Sequence, residues 1–166
     1  LPVVAVVGYT NAGKSTLLNR LTRSDVLVAD QLFATLDPTS RRLNFADGHH
    51  LILTDTVGFI RDLPADLVAA FRATLEELEG AAILMHVVDV ADPRRDEKIA
   101  AVRTILAELH LEQINEVLVL NKCDTIDAFE YRALARKLNA ISVSALDGLG
   151  LESLRDELAR RTSPQK

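Results

Sequence analysis

One segment restricts what this chain can become. Gly8-Tyr9-Thr10-Asn11-Ala12-Gly13-Lys14-Ser15 fits G-x-x-x-x-G-K-[ST] in full. It follows the β-branched run Val3 to Val7 and opens a helix-like stretch from Ser15 to Thr22, which is the setting the pattern requires. The glycines let the backbone curl around an anion without a Cβ clash. Main-chain N–H groups and the start of the helix then point at that anion. Lys14 adds a point charge for the β and γ phosphates, and Ser15 offers a hydroxyl to Mg²⁺, a hard ion that keeps oxygen ligands. Asn11, Ala12, Gly13, Lys14, Ser15 and Thr16 are therefore the candidate phosphate-contacting positions.

The remaining pattern agrees with a strand–loop–helix beginning. Arg42 to Phe45 and Leu51 to Thr54 flank Asp47-Gly48, a hairpin signal. Leu63 to Leu78 places its apolar residues on one helical face. Ala82 to Val90, Val117 to Leu120 and Ala140 to Val143 read as strands, separated by helical stretches at Ile99 to Leu109 and Phe129 to Leu138 and followed by one at Leu151 to Arg160. The expected architecture is α/β: a mostly parallel six-stranded sheet, one antiparallel edge strand, and helices on both faces. Aromatics are only 4% of a chain that is 48% hydrophobic, so the core is aliphatic, as suits buried parallel strands. The segment from 24 to 41 is too long for an idle connection, which hints at function.

Charge excludes some classes. With 19 Lys and Arg against 24 Asp and Glu, the net charge is −5, so the chain lacks the basic balance of a free-standing nucleic-acid binder. A single cysteine, Cys123, rules out an internal disulfide and reads as packing in a reducing compartment. No apolar run reaches the ~18 residues of a membrane span. The four histidines lack metal-ligand spacing, and His86, inside an apolar run, reads as a satisfied core residue. The chain begins Leu1-Pro2, and is expected to be one domain, residues 1–166, cut from a longer protein.

Two further motifs carry chemistry. Leu51 to Thr54 ends in Asp55-Thr56-Val57-Gly58. Asp55 at a strand's carboxyl end would hold Mg²⁺, and the Gly58 N–H would meet a γ-phosphate. Phe59 stands where many GTP-hydrolysing switches place a water-orienting glutamine, and a phenyl ring has no hydrogen bond to give. Unaided turnover should therefore be low, unless Arg61 or Asp62 places the water. Asn121-Lys122-Cys123-Asp124 follows the apolar run Val117 to Leu120. The Asp124 carboxylate is acceptor-only, which suits the N1–H and 2-amino group of guanine and repels adenine N1. The Lys122 stem would cover the base, Asn121 would tie this loop to the phosphate loop, and Ser144-Ala145-Leu146 would bring the Ala145 N–H to O6.

These motifs stand in the order and spacing of a small GTPase domain of the P-loop NTPase class. The runs Gly8 to Leu17, Phe33-Ala34-Thr35-Leu36-Asp37-Pro38-Thr39, Thr54 to Arg61 with Leu63-Pro64, Leu67 to Glu77, and His86-Val87-Val88-Asp89 closely resemble the HflX family of translation-associated GTPases. The resemblance covers the GTPase domain alone, without that family's N-terminal domain. It implies a cytoplasmic enzyme (organellar in a eukaryotic source) that turns GTP into GDP and phosphate and helps split or rescue ribosomes at the large subunit. It implies Thr35 as the Mg²⁺-binding switch threonine, with Thr39 second. Asn11 sits where some related GTPases hold K⁺. The alternative is a GTP-gated binding module that barely turns over in isolation. An ATP-using enzyme would share the phosphate loop but not Asn121 to Asp124. Replacing Asp124 by Asn should lower the preference for GTP over ATP by roughly 10- to 100-fold in competition titrations, while leaving the phosphate loop intact.

Overall fold

The computed structural model describes residues 2–8, 12–22, 40–55, 81–108, 110 and 113–162. The helix expected from Leu63 to Leu78 and all of the loop at 24–41 except Ser40 and Arg41 lie outside them. Six strands form one sheet: β1 (Val3–Val7), β2 (Ser40–Asn44), β3 (His50–Asp55), β4 (Ile83–Asp89), β5 (Asn115–Asn121) and β6 (Ile141–Ser142). Their order is β2-β3-β1-β4-β5-β6. Every neighbouring pair is parallel except β2 with β3. The expected mixed sheet with one antiparallel edge strand is what forms. The hairpin between β2 and β3 closes at Asp47-Gly48, where Gly48 takes φ +93° and donates to Phe45 O.

Four helices are described: α1 (Lys14–Leu21), α2 (Arg95–Glu108), α3 (Ala128–Leu138) and α4 (Leu151–Thr162). Strand alternation decides which face each covers. Val4, Val6, Ile83, Met85, Val87, Val117 and Val119 share one core with Leu17, Leu18 and Leu21 of α1 and Leu154 and Leu158 of α4. Val88, Leu118 and Leu120 point the other way and pack with Ile99 of α2 and Tyr131 of α3. Each fully buried aliphatic side chain contributes roughly 1.5–3 kcal/mol. Arg155 of α4 adds a polar clamp: it donates to Leu21 O at 2.7 Å and Asn44 O at 2.9 Å. That satisfies an orphan carbonyl at the end of α1.

Element ends differ from the sequence reading for local reasons. Helix α2 begins at Arg95, not Ile99, because its first turn is polar, with Asp96 and Glu97 at the positive helix end. Strand β6 is only two residues long, although Val143 still donates to Leu120 O at 2.8 Å before the chain turns. Among the described residues no helix is long and apolar enough to cross a membrane.

His86 is buried on the α2 face, but it is not satisfied as expected. Its Nδ1 lies 3.5 Å from Glu116 Oε2 and makes no hydrogen bond among the described residues. Arg103 of α2 donates to Glu116 Oε1 at 2.7 Å. Burial pushes the Glu116 carboxyl up, but contact with His86 and Arg103 outweighs it and brings the group down to about 2. The stabilisation is thus complete above the ordinary glutamate range and lost as pH falls toward 2. Between pH 5 and pH 3 the native chain should lose about 1–2 kcal/mol more stability than Glu116→Gln, measured by urea unfolding at each pH.

Candidate functional site

Strand β1 lies between β3 and β4. The chain leaves β1, returns through the hairpin on one side, and then crosses to β4 on the other. This reversal opens a crevice at the carboxyl end of β1, where open α/β sheets bind ligands. The sequence puts the phosphate loop there. A Cβ at Gly8 would lie 2.4 Å from Val87 O, so β4 presses on the loop's start. Gly13 takes φ +83°, and a Cβ there would lie 2.7 Å from Asn121 Nδ2. Only glycine meets both the conformation and the close approach.

Helix α1 starts directly after Gly13, with no side-chain cap and no acidic residue in its first turn. The cap glycine has no side chain to compete for the helix's first amides, at the end of the dipole that favours an anion. Lys14 is only 7% exposed, and its Cδ lies 3.5 Å from the Cβ position of Gly8. Ser15 and Thr16 are exposed. Asp55 ends β3 opposite Val6 of β1, on the same sheet edge. No group of three His, Cys, Asp or Glu suited to a metal occurs among the described residues. A hydroxyl at Ser15 and a carboxylate residue at Asp55 nevertheless fit Mg²⁺, which takes few protein ligands and fills its shell from water and phosphate.

The second half of the crevice forms at the end of β5. Asn121 is 1% exposed. Its Nδ2 donates to Ala12 O at 2.9 Å, and its Oδ1 accepts from the Ala145 N–H at 3.1 Å. One carboxamide thus joins the phosphate loop to the loop after β6, as expected for its first half. Lys122 takes φ 64° and opens a short 3-10 turn, Cys123–Thr125. Its Cε lies 3.6 Å from the Cβ position of Gly13. Cys123 is buried; burial, then the charge of Asp124, pushes its thiol up, which keeps it protonated and inert. Ser144, fully buried, donates from Oγ to Asp124 Oδ1 at 2.8 Å and accepts the Asp147 N–H at 3.1 Å.

Lys14, Ser15, Asn121, Lys122, Asp124, Ser144 and Ala145 therefore gather around one crevice. The Ala145 N–H, read as a donor to a purine O6, bonds to Asn121 Oδ1 in this structure, where a buried carboxamide oxygen needs a donor. Leu146, which follows it, is 75% exposed. Asn11, Thr35, Thr39, Gly58, Phe59, Arg61 and Asp62 lie outside the described residues. Sequence reasoning missed the Ser144 hydroxyl as the anchor of Asp124. Its signal was present: a small polar residue directly after the last strand, beside the candidate base loop.

Comparisons with known proteins fit this geometry. Residues 3–122 match the model of a family described as 50S ribosome-binding GTPase. The chain is 52% identical over 166 residues to GTPase HflX of Escherichia coli (strain K12), covering 98% of this chain and 39% of that protein. It is 49% identical over 160 residues to GTPase HflX of Caldanaerobacter subterraneus subsp. tengcongensis, covering 96% and 36%. The chain thus spans well under half the length of these relatives. Among solved structures, it superposes with TM-score 0.76 and 30% identity on a GTP-binding protein from the archaeon Sulfolobus solfataricus in complex with GDP, covering 96% of this chain and 52% of that one. Era bound to MgGDPNP and a 16S ribosomal RNA segment shares the fold, with TM-score 0.73, 22% identity, and 99% and 58% coverage.

Asn121→Ala should strand the Ala12 carbonyl and the Ala145 N–H in the interior. Urea unfolding should show a loss of about 1–3 kcal/mol. Titration with GDP should show affinity reduced at least roughly tenfold, since both loops lose their common tie.

Proposed function

Because the chain belongs to the 50S ribosome-binding GTPase family and is of HflX type over nearly its whole length, we propose that it binds GTP and hydrolyses it to GDP and phosphate as a Mg²⁺-dependent switch acting at the large ribosomal subunit. The single observation that supports this most is the Asn121 bridge. It makes the triphosphate cradle and the base-reading loop parts of one pocket. On this reading, the phosphates lie against the amides of Ala12, Gly13, Lys14, Ser15 and Thr16. Lys14 neutralises β and γ oxygens. Asp124, aimed by Ser144, accepts from guanine N1–H and the 2-amino group. The loop Ser144-Ala145-Leu146 would bring the Ala145 N–H to O6.

Ser15 and Asp55, with Thr35, would hold Mg²⁺. When bound, the ion offsets the charge that builds on the β and γ oxygens. Gly58 gives its N–H to the γ-phosphate. Water attacks phosphorus in line as the bond to the β–γ bridging oxygen breaks, and positioning does most of the catalysis. Phe59 cannot orient that water, so the basal rate is low and the partner completes the arrangement. K⁺ beside Asn11 is a second cation to test. The protein works in the cytoplasm, as one GTPase domain of a longer chain. RNA contacts fall mostly outside this acidic domain, since backbone affinity follows the phosphates neutralised.

Single-turnover GTP hydrolysis, followed with and without large subunits, tests the reading. A slow basal rate raised at least roughly tenfold by subunits supports it. Tight GTP binding with no turnover in either condition would make the domain a GTP-gated binding module. Failure to prefer GTP over ATP would overturn the base assignment.

A further inference from the structure

The lysine of the base loop is held by an acid from the neighbouring strand. Asp89 is the last residue of β4 and pairs in register with Asn121, the last residue of β5. The Val90 N–H donates to Asn121 O at 3.0 Å, which locks the two strand ends together. Asp89 is mostly buried. Its Oδ1 accepts the Ala91 N–H at 2.9 Å, and that fixes its rotamer. Its Oδ2 lies 3.5 Å from Lys122 Nζ. Asp89 also lines a small cleft with Ala12 of the phosphate loop. Lys122 is therefore defined at three points: its backbone in the left-handed region, its Cε above Gly13, and its ammonium on Asp89.

From this we propose that Asp89 is a positioning residue for nucleotide binding. It holds the Lys122 side chain extended along the crevice before a nucleotide arrives, so the stem is already in place to cover the purine. A free lysine stem has several rotors to immobilise on binding. Tethering its end removes part of that ordering from the binding step. The position of the carboxylate suits the task. It is anchored by a main-chain N–H and carried on a central strand, so it does not move with the base loop. The inference rests on the nucleotide-binding reading above.

The test is a double-mutant cycle on the dissociation rate of a fluorescent N-methylanthraniloyl GDP, chased with unlabelled GDP in Mg²⁺. The full-length protein and this chain are both used. Asp89→Asn keeps an acceptor for the Ala91 N–H, and Asp89→Ser is the second choice should Asn not fold. We expect Asp89→Asn to speed dissociation about three- to fivefold, and Lys122→Met to do so at least as much. The double variant should be no faster than Lys122→Met alone. A merely structural role for Asp89 would multiply the two effects, and that result overturns the proposal. So does a dissociation rate unchanged or slowed in Asp89→Asn. Inorganic tripolyphosphate affinity should stay at the native value in Asp89→Asn; an equal loss there would place the effect on the phosphate loop instead and also overturn it. If the native protein itself fails to bind the fluorescent GDP, the nucleotide reading fails, which is a separate outcome.

Discussion

The buried carboxamide of Asn121 is the contact on which the site depends. Its nitrogen and oxygen each have one partner, on loops that are far apart in sequence: Ala12 before α1 and Ala145 after β6. In a low-dielectric interior such bonds are modest in net gain but costly to leave unmade. The other features follow from keeping this plane in place. Gly13 must lack a Cβ because Asn121 Nδ2 occupies that space. Strands β4 and β5 must end level, which the register Asp89 to Asn121 provides. The loop after β6 must turn at once, which Ser144 enforces by bonding both Asp124 and Asp147.

Much of this was legible because some chemistry admits few residue types. A loop that wraps an anion needs glycine at fixed places and a lysine at the start of a helix, so Gly8 to Ser15 announced both the crevice and the α/β architecture. Alternating apolar runs gave the strands, because buried parallel strands need aliphatic residues on both faces. Helix α2 began earlier than its apolar periodicity, since capping and dipole effects favour polar residues in a first turn. Which acceptor captures the Ala145 N–H was not legible, because it depends on the distance between two loop ends. The contact between Asp89 and Lys122 was hidden for the same reason: strand register, not spacing along the chain, brings them together. His86 looked like an ordinary core residue; only the packed structure shows the Glu116 carboxylate facing it.

The acidic charge and the family's ribosomal association are compatible once roles are separated. A surface that binds RNA through its backbone must supply cations in proportion to the phosphates it covers. A net charge of −5 does not, while a crevice for one triphosphate needs only Lys14, a metal ion and a helix terminus. HflX relatives are more than twice as long as this chain. On the proposed reading, the length those relatives have beyond the matched segment would supply RNA affinity, and a domain of this kind the nucleotide state.

The two ends of the crevice also differ in what prepares them. The end proposed to hold the purine is assembled from hydrogen bonds and an ion pair within the protein: Ser144 bonds Asp124, Asn121 fixes the loops, and Asp89 meets Lys122. None of these needs a nucleotide. The phosphate end begins a helix whose cap residue is a glycine, with Ser15 exposed in its first turn. On the proposed reading, such an arrangement would bind the base the same way in GTP and GDP and confine the difference between them to the γ-phosphate. A switch requires that separation, because a ligand shifts a conformational equilibrium only through contacts that differ between its two states.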